Sequence, residues 1–257
     1  MIELSTETLS AFLGGILWPL FRITGFMLAA PIIGTQLVPQ RMRLMLGILV
    51  TMIVAPQLPG LPAVDLISLR SMVITAEQLL IGIAMGYSLQ ILLQIFVLAG
   101  QMIAMQMGLG FASMVDPSNG VSVTVVSQFH LMLVTLLFLA MNGHLAMLEV
   151  MINSFDAIPV GDGFLAADSL WTLAGRASWM FASALLMALP AVTALLIINA
   201  ALGVVTRAAP QLNIFAVGFP FMLIIGLCII WMSMGNYLPQ FELFTAQALE
   251  ATARLVR

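Results

Sequence analysis

The sequence predicts an all-α, membrane-associated bundle of long, kinked helices and helical hairpins, and three observations support this fold class. Of the 257 residues, 62% are hydrophobic and only 7% are charged, whereas about a quarter of the residues in an ordinary soluble domain are charged. The apolar residues form long runs, and Pro- or Gly-containing turns interrupt these runs. A water-soluble core needs no such apolar excess, so the chain is predicted to lie in a bilayer or in a membrane assembly.

Six apolar stretches approach or exceed the roughly 20 helical residues that cross a bilayer. They are residues 10–34, 42–58, 71–106, 122–153, 174–206 and 213–238. The third, fourth and fifth are longer than one span, so they must tilt, kink or project out of the membrane. Turn-forming residues, Pro, Gly and Asp among them, separate the stretches.

Charge and cysteine content exclude several classes of protein. A net charge of −3 is unlike that of a nucleic-acid binder. The single cysteine, Cys228, can form no internal disulfide, and its apolar surroundings predict a buried thiol. The first ten residues contain Glu3 and Glu7 and no basic residue, which is unlike a secretory signal, so the first stretch is expected to remain in the mature protein.

The sequence offers no catalytic or metal-binding constellation. His130 and His144 are the two histidines, and on one continuous helix they would lie about 21 Å apart. Glu77 and Glu149 are the carboxylates inside apolar stretches, and nothing pairs them. We therefore predict no catalytic residue, no metal, no cofactor and no enzymatic activity.

Polar side chains inside the apolar stretches mark a second feature. Arg22 lies in the first stretch, where a charge at mid-bilayer costs about 2.5–3.5 kcal/mol on insertion scales, so it is expected to face protein or water, unless it snorkels to the membrane surface. On continuous helices, two polar stripes would each occupy one face: Gln90, Gln94 and Gln101 on the third stretch, and Gln128, Thr135, Asn142 and Glu149 on the fourth. The pattern predicts a seam between subunits or a wet lumen; ordinary hydrogen bonding between helices is the alternative. Gly82 and Gly86, four residues apart, predict a close helix-packing notch.

The segment "GLGFASMVDPSNG", residues 108–120, interrupts the apolar pattern. Its glycines allow the chain to leave a helix, and its Asp-Pro and Asn-Gly pairs favour turns. It nevertheless carries an apolar tip, and such backbone at membrane depth is tolerated inside protein or beside water. The residues concerned are Gly108, Gly110, Phe111, Met114, Val115, Asp116, Pro117, Asn119 and Gly120. A plain loop outside the membrane is the alternative.

Three segments together resemble one family. They are "RITGFMLAAPIIGTQLVPQRMR" near the N-terminus, "GLGFASMVDPSNG" in the middle and "RAAPQLNIFAVGFPFMLIIG" late in the chain. In this order they closely resemble the FliR family of flagellar export-gate proteins, which has relatives in virulence type III secretion. The resemblance covers essentially the whole chain.

The resemblance implies a structural subunit of a closed helical gate in the bacterial inner membrane, within the flagellar basal body. The implied partners are FliP, FliQ and FlhB-type proteins, membrane lipid, and unfolded flagellar subunits as cargo. It also implies a FliP-like part over residues 1–170, followed by a FliQ-like helical hairpin and C-terminal tail over residues 171–257. Residues 108–120 would then plug the pore.

Two further interpretations remain at this point. The short connector with Arg207 and Pro210, followed by Asn213 as a capping residue, is predicted to be an assembly surface. The alternative function is a stand-alone secondary transporter or channel with a small-molecule site near Arg22, Gln90 and Gln94. An internal inverted repeat would favour that alternative, and the sequence shows none.

Overall fold

A computed structural model describes residues 6–36, 38–58, 62, 64, 68–110, 124–209 and 214–256, with side chains from residue 13 onward and without those of 214–216. The helices in these ranges, named here in chain order, are α1 (Thr6–Ala29), α2 (Gln40–Val54), α3 (Leu69–Gln106), α4 (Val125–Ala140), α5 (Gly143–Ala157), α6 (Ala167–Ala208), α7 (Ile214–Ser233) and α8 (Tyr237–Leu255). Short 3₁₀ turns follow α2 at Ala55–Gln57 and α7 at Met234–Asn236. The predicted all-α membrane fold is confirmed.

Helix length separates true membrane-spanning candidates from shorter apolar helices. Helix α3 has 38 residues, α6 has 42, and Val217–Leu255 forms a third apolar candidate of 39 residues. At 1.5 Å per residue each is nearly 60 Å long or more, about twice the hydrocarbon core. This excess length was predicted for the stretches that form α3 and α6, but not for the sixth stretch. Helix α2 has 15 residues, which span roughly 22 Å and fall short of a crossing.

The fourth apolar stretch is not one helix, and this corrects the polar stripe predicted on it. Helices α4 and α5 meet at a 69° bend, where Asn142 adopts a left-handed backbone conformation with φ of +57°. Asparagine tolerates that region better than most residues, and an asparagine followed by a glycine, here Gly143, favours a turn. Gln128 and Thr135 therefore lie on α4, Asn142 lies in the bend, and Glu149 lies on α5, so the four share no continuous helix face.

By contact density the chain divides into two compact units. The first comprises residues 1–91, 142–176 and 245–257; the second comprises residues 92–141 and 177–244. Each unit therefore draws on both the 1–170 and the 171–257 parts. The division into FliP-like and FliQ-like parts concerns likeness to other proteins, and it stays a prediction.

In the first unit the backbones of α1 and α3 touch at glycines. A Cβ atom added at Gly82 would lie 2.1 Å from the carbonyl oxygen of Arg22, and one at Gly86 would lie 2.6 Å from that of Phe26. From the other side, a Cβ at Gly25 would lie 2.5 Å from the carbonyl oxygen of Leu79. The packing notch predicted from the glycine spacing is confirmed, and it brings two apolar helices together without side chains between them.

The second unit has an aromatic core. Phe96 is fully buried, and its ring centroid lies 5.8 Å from that of Phe241 and 6.0 Å from that of Phe244. Phe241 and Phe244 belong to α8, a 19-residue helix where the sequence indicated only a C-terminal tail.

The prediction of a buried Cys228 was wrong, because its side chain is exposed on α7.

Candidate functional site

The helix that leads into segment 108–120 ends in a glycine-dependent motif. Gly108 has φ of +84°. The N–H of Gly108 donates to the carbonyl of Met105 at 3.1 Å, and that of Leu109 donates to the carbonyl of Ala104 at 3.0 Å. These two bonds form the Schellman pattern, in which a left-handed glycine closes a helix and satisfies its last carbonyls. The expectation that Gly108 lets the chain leave α3 agrees with this geometry.

The tip of the predicted plug lies outside the described residues. Phe111, Met114, Val115, Asp116, Pro117, Asn119 and Gly120 fall in 111–123, whereas Gly108 and Gly110 are described. The description resumes at Thr124, which caps α4: its Oγ1 accepts from the N–H of Ser127 at 3.3 Å. A threonine in this role is a frequent helix start.

Gln101 joins the two ends of this segment. Its Oε1 accepts from the N–H of Thr124 at 3.2 Å and from the hydroxyl of Ser127 at 3.1 Å. Next to it, a Cβ added at Gly100 would lie 2.9 Å from the Cα of Ser127, so the α3 and α4 backbones approach closely here. The described chain therefore stops just after α3, at Gly110, and resumes at Thr124, which α3 itself holds.

The end of α3 contacts α7 through Met107 and α6 through the carbonyl of Gln106. Met107 is buried, and a Cβ added at Gly226 would lie 2.5 Å from its Cγ. The Nδ2 of Asn199 donates to the carbonyl of Gln106 at 3.4 Å. A cavity of about 380 Å³ lies beside these contacts, lined by Met105, Gln106, Met107, Gly108, Asn199, Leu202, Gly203, Gly218, Phe219 and Met222. Methionine side chains are unbranched and repack easily, which suits a wall that must deform.

Arg22 is fully buried in the first unit and faces protein. Its Nε donates to the Oε1 of Gln78 at 2.7 Å. Its Nη1 donates to the carbonyl of Ser154 at 2.9 Å and to the Ser154 hydroxyl at 3.3 Å, and its Nη2 donates to the carbonyl of Ile158 at 2.8 Å. The guanidinium carbon also lies 4.3 Å from the centroid of the Phe155 ring.

The electrostatic partner of Arg22 is the end of a helix. Among the described residues no carboxylate lies within ion-pair distance of it. Ser154 and Ile158 stand at the C-terminus of α5, where unpaired carbonyls carry the negative end of the helix dipole. The dipole and the Phe155 ring together compensate the buried cation. Gln78, also fully buried, was not singled out from the sequence, although a glutamine within an apolar run is the kind of signal that could have found it.

The remaining seam residues have mixed environments. Gln90, Gln94 and Gln101 are half-buried on α3, and Thr135 is half-buried on α4; Gln128, Asn142 and Glu149 are exposed. Gln90 keeps its Oε1 buried without a hydrogen-bond partner in the described part of the chain. The seam residues other than Gln101 and Arg22 are available for contacts outside this chain. Gln101 and Arg22 form hydrogen bonds within the chain.

A buried histidine–tyrosine pair escaped the sequence reasoning. Nδ1 of His130 lies 2.7 Å from the carbonyl of Val126, so it carries the proton. Nε2 then accepts from the hydroxyl of Tyr237. His130 and His144 lie on different helices, α4 and α5. The expectation that placed both on one helix was therefore wrong.

Two further site predictions concern the α6–α7 connector and metals. Arg207 is exposed at the end of α6, while Pro210 and Asn213 lie outside the described residues. Within the described ranges no group of three or more His, Cys, Asp or Glu side chains could hold a metal ion.

Comparison with known proteins gives consistent matches along the chain. Residues 13–248 match the family described as "Bacterial export proteins, family 1". The flagellar biosynthetic protein FliR of Escherichia coli K12 is 37% identical over 227 residues, covering 88% of this chain and 87% of that protein. The FliR protein of Pectobacterium carotovorum is 38% identical over 222 residues, with 86% and 83% covered. That of Aquifex aeolicus is 30% identical over 227 residues, 88% of each chain.

Proposed function

Because the chain belongs to the FliR family of bacterial export proteins, we propose that it forms part of a closed gate through which unfolded flagellar subunits are secreted. It is a component of the flagellar export apparatus with a membrane location. The gate would stand in the inner membrane within the flagellar basal body. Its role there is structural and non-enzymatic.

The observation that carries the gate proposal is the pair of contacts at the described borders of the predicted plug, residues 108–120. A conduit wide enough for protein must be sealed at rest, because an open one would dissipate ion gradients. The seal has to exclude water and still move aside for cargo, which favours an apolar loop held by few contacts. The Schellman end at Gly108 and the Gln101 bonds to Thr124 and Ser127 fix both ends of such a loop. Phe111, Met114 and Val115 would supply its apolar tip.

Exposed apolar surface supports assembly with partners. Trp171 of α6 is 77% exposed, and Trp231 of α7 is 76% exposed. Apolar surface of this kind faces lipid or other subunits in a membrane protein. We assign the partners to the FliP, FliQ and FlhB-type proteins, with the connector of Arg207, Pro210 and Asn213 as one assembly surface.

The stand-alone transporter receives no support from the Arg22 geometry. All three nitrogens of that guanidinium donate to protein acceptors, and the side chain is fully buried. A substrate-binding arginine would keep at least part of its fork accessible to the substrate. We therefore assign Arg22 a role in packing the first unit.

The plug proposal is tested in membranes that carry the whole complex. Deleting residues 110–115 should leave the complex assembled but raise its conductance for ions and small solutes. The length-preserving change of Phe111, Met114 and Val115 to serine separates loss of the apolar seal from loss of loop length, and it should also leak. Partner recovery with a tagged chain controls for assembly. A deleted complex that assembles fully and stays as tight as wild type would make this segment a plain connector.

The connector proposal has its own experiment. Changing Pro210 and Asn213 together, for example to alanine, should lower the recovery of FliP- and FliQ-type partners with the tagged chain. Asp162→Asn, in an exposed turn well before the connector in the sequence, serves as the control. The two variants are compared at equal expression. Equal recovery from both variants would remove the assembly role from this connector and leave the plug proposal untouched.

A further inference from the structure

A cavity between α1, α2 and α3 is lined by none of the residues assigned to the proposed plug, and the proposed gate gives it no role. Its volume is about 510 Å³, and it is lined by Leu20, Phe21, Thr24, Leu28, Gln40, Arg43, Leu44 and Leu79. This volume falls within the roughly 300–1,000 Å³ of ordinary ligand pockets. All of its lining residues belong to the first unit.

The walls of the cavity are apolar. Leucine and phenylalanine side chains supply most of them. The hydroxyl of Thr24 is turned back to the carbonyl of Leu20 at 2.7 Å, which satisfies its hydrogen-bonding need within α1. Leu28 and Leu44 on the rim are 48% and 56% exposed, so the cavity opens onto apolar surface. An occupant entering from there has to be largely hydrocarbon.

One positive charge stands at this cavity. The Nη2 of Arg43 donates to the carbonyls of Thr35 at 2.9 Å and Val38 at 3.3 Å, which holds the guanidinium in place. Its Nε is buried and has no hydrogen-bond partner within the described chain. In those same ranges no carboxylate lies within ion-pair distance of Arg43. A fixed, uncompensated guanidinium at the edge of an apolar cavity attracts an anionic group.

We propose that this cavity binds one anionic phospholipid, with an acyl chain between Leu20, Leu28 and Leu79 and the phosphate against Arg43. Hydrocarbon walls that open to apolar surface match the acyl chain, and the fixed cation matches the headgroup. Basic residues beside grooves between membrane helices recognise anionic headgroups in this way. The lipid would fill a gap in α1–α2 packing that the chain's own side chains leave open.

The test uses the tagged full chain with its partners, purified in mild detergent and exchanged into bilayer discs of equal phosphatidylglycerol and phosphatidylcholine. Lipid that survives delipidation is counted by native mass spectrometry. Wild type should retain phosphatidylglycerol in preference to phosphatidylcholine. Arg43→Gln should reduce that preference roughly fivefold, because this is the factor that the attraction of one arginine to an anionic lipid contributes. Arg70→Gln, an exposed arginine of the same unit, should leave it unchanged.

Further variants separate charge from structure. Arg43→Lys keeps the charge but lacks the Nη2 group that donates to two carbonyls, so it should retain most of the preference. Leu79→Trp fills the cavity and should abolish retention of both lipids while the complex still assembles. Added inorganic phosphate should not displace the lipid, because it cannot occupy the apolar walls.

Three results would overturn the proposal. Equal retention of the two lipids by wild type is the first, and an Arg43→Gln variant that keeps the full preference is the second. The third comes from a photocrosslinking residue placed at Leu28: attachment to a partner protein instead of lipid would make the cavity a protein interface.

Discussion

The side-chain oxygen of Gln101 accepts a hydrogen bond from the backbone N–H of Thr124 at 3.2 Å, so the helix before the proposed plug holds the first helical cap after it. The two residues are 23 positions apart, and their bond joins the helix before the proposed plug to the helix after it. We call this junction the base of the plug, and weakening it should affect gating before it affects assembly.

Gln101→Leu is predicted to loosen the base of the plug. The change removes the acceptor of both Thr124 and Ser127, and leaving buried donors unpaired costs about 1–3 kcal/mol. We expect a higher resting conductance of the assembled complex with normal partner recovery. Gln57→Leu is the matched control, because Gln57 is exposed and bonds locally to Ile53. If the two variants are equally tight, Gln101 does not hold a seal.

Gly82→Ala is predicted to separate α1 from α3. The added methyl group would meet the carbonyl oxygen of Arg22 at 2.1 Å, which neither backbone can accommodate without moving. Gly175 is a mid-helix glycine of α6 with nothing within 4 Å of an added Cβ, so Gly175→Ala should be neutral or stabilising, since alanine favours helices by about 1 kcal/mol over glycine.

The measurement for this pair is the thermal midpoint of the purified complex, followed by size-exclusion chromatography after heating. We expect Gly82→Ala to lower the midpoint and Gly175→Ala to keep or raise it. Equal midpoints for the two variants would mean that α1 and α3 do not make this close contact in the assembled protein.

Asn142 is predicted to be replaceable by glycine but not by a β-branched residue. Its φ of +57° lies in the left-handed region, which costs about 1–2 kcal/mol for residues with a conventional side chain. Asn142→Gly should therefore leave stability and partner recovery close to wild type, whereas Asn142→Val should lower both. Stability is read from the thermal midpoint, with Leu136→Val, at an exposed position on the straight part of α4 and outside the polar seam, as the control. An Asn142→Val complex as stable as the glycine variant would show that α4 and α5 form one straight helix.

Sequence patterns predicted the features that depend on near neighbours. Long apolar runs predicted the helices, Gly82 and Gly86 predicted the α1–α3 contact through their spacing, and Gly108 predicted the end of α3. The bend at Asn142 was missed because heptad spacing of polar residues continues across it, although one left-handed residue ends a helix whatever its surroundings. The Asn142-Gly143 pair was the available signal.

Contacts between distant residues could not be predicted in this way. Gln78 and Ser154 are 56 and 132 positions from Arg22, and periodicity along one helix carries no information about which helix lies opposite. The same holds for His130 with Tyr237, 107 positions apart. The sequence predicted protein or water around Arg22 and kept snorkelling to the membrane surface as the alternative, whereas the identity of its partners depends on how α1, α3 and α5 pack.

Arg22 yields the final prediction, which follows from its unusual partner set. Its charge is balanced by the carbonyls at the C-terminus of α5 and by the Phe155 ring, with Gln78 on the remaining side. Arg22→Met would leave the carbonyl of Ile158 and the Gln78 oxygen without their donor, and the Ser154 carbonyl would keep only the Ile158 N–H. Each buried acceptor left unpaired costs about 1–3 kcal/mol. We expect a large drop in thermal midpoint and in the yield of assembled complex.

Arg22→Lys tests whether charge alone is sufficient. Lysine keeps the charge but lacks the planar fork that reaches acceptors on two sides, so we expect only partial recovery relative to Arg22→Met. Arg70→Met, at an exposed position of the same unit, should change the midpoint little. A substrate-binding role predicts the opposite pattern, in which Arg22→Met assembles with a normal midpoint and loses only transport. That outcome would restore the stand-alone transporter, whereas loss of stability without a transport-specific defect supports Arg22 as the residue that joins α1 to the end of α5.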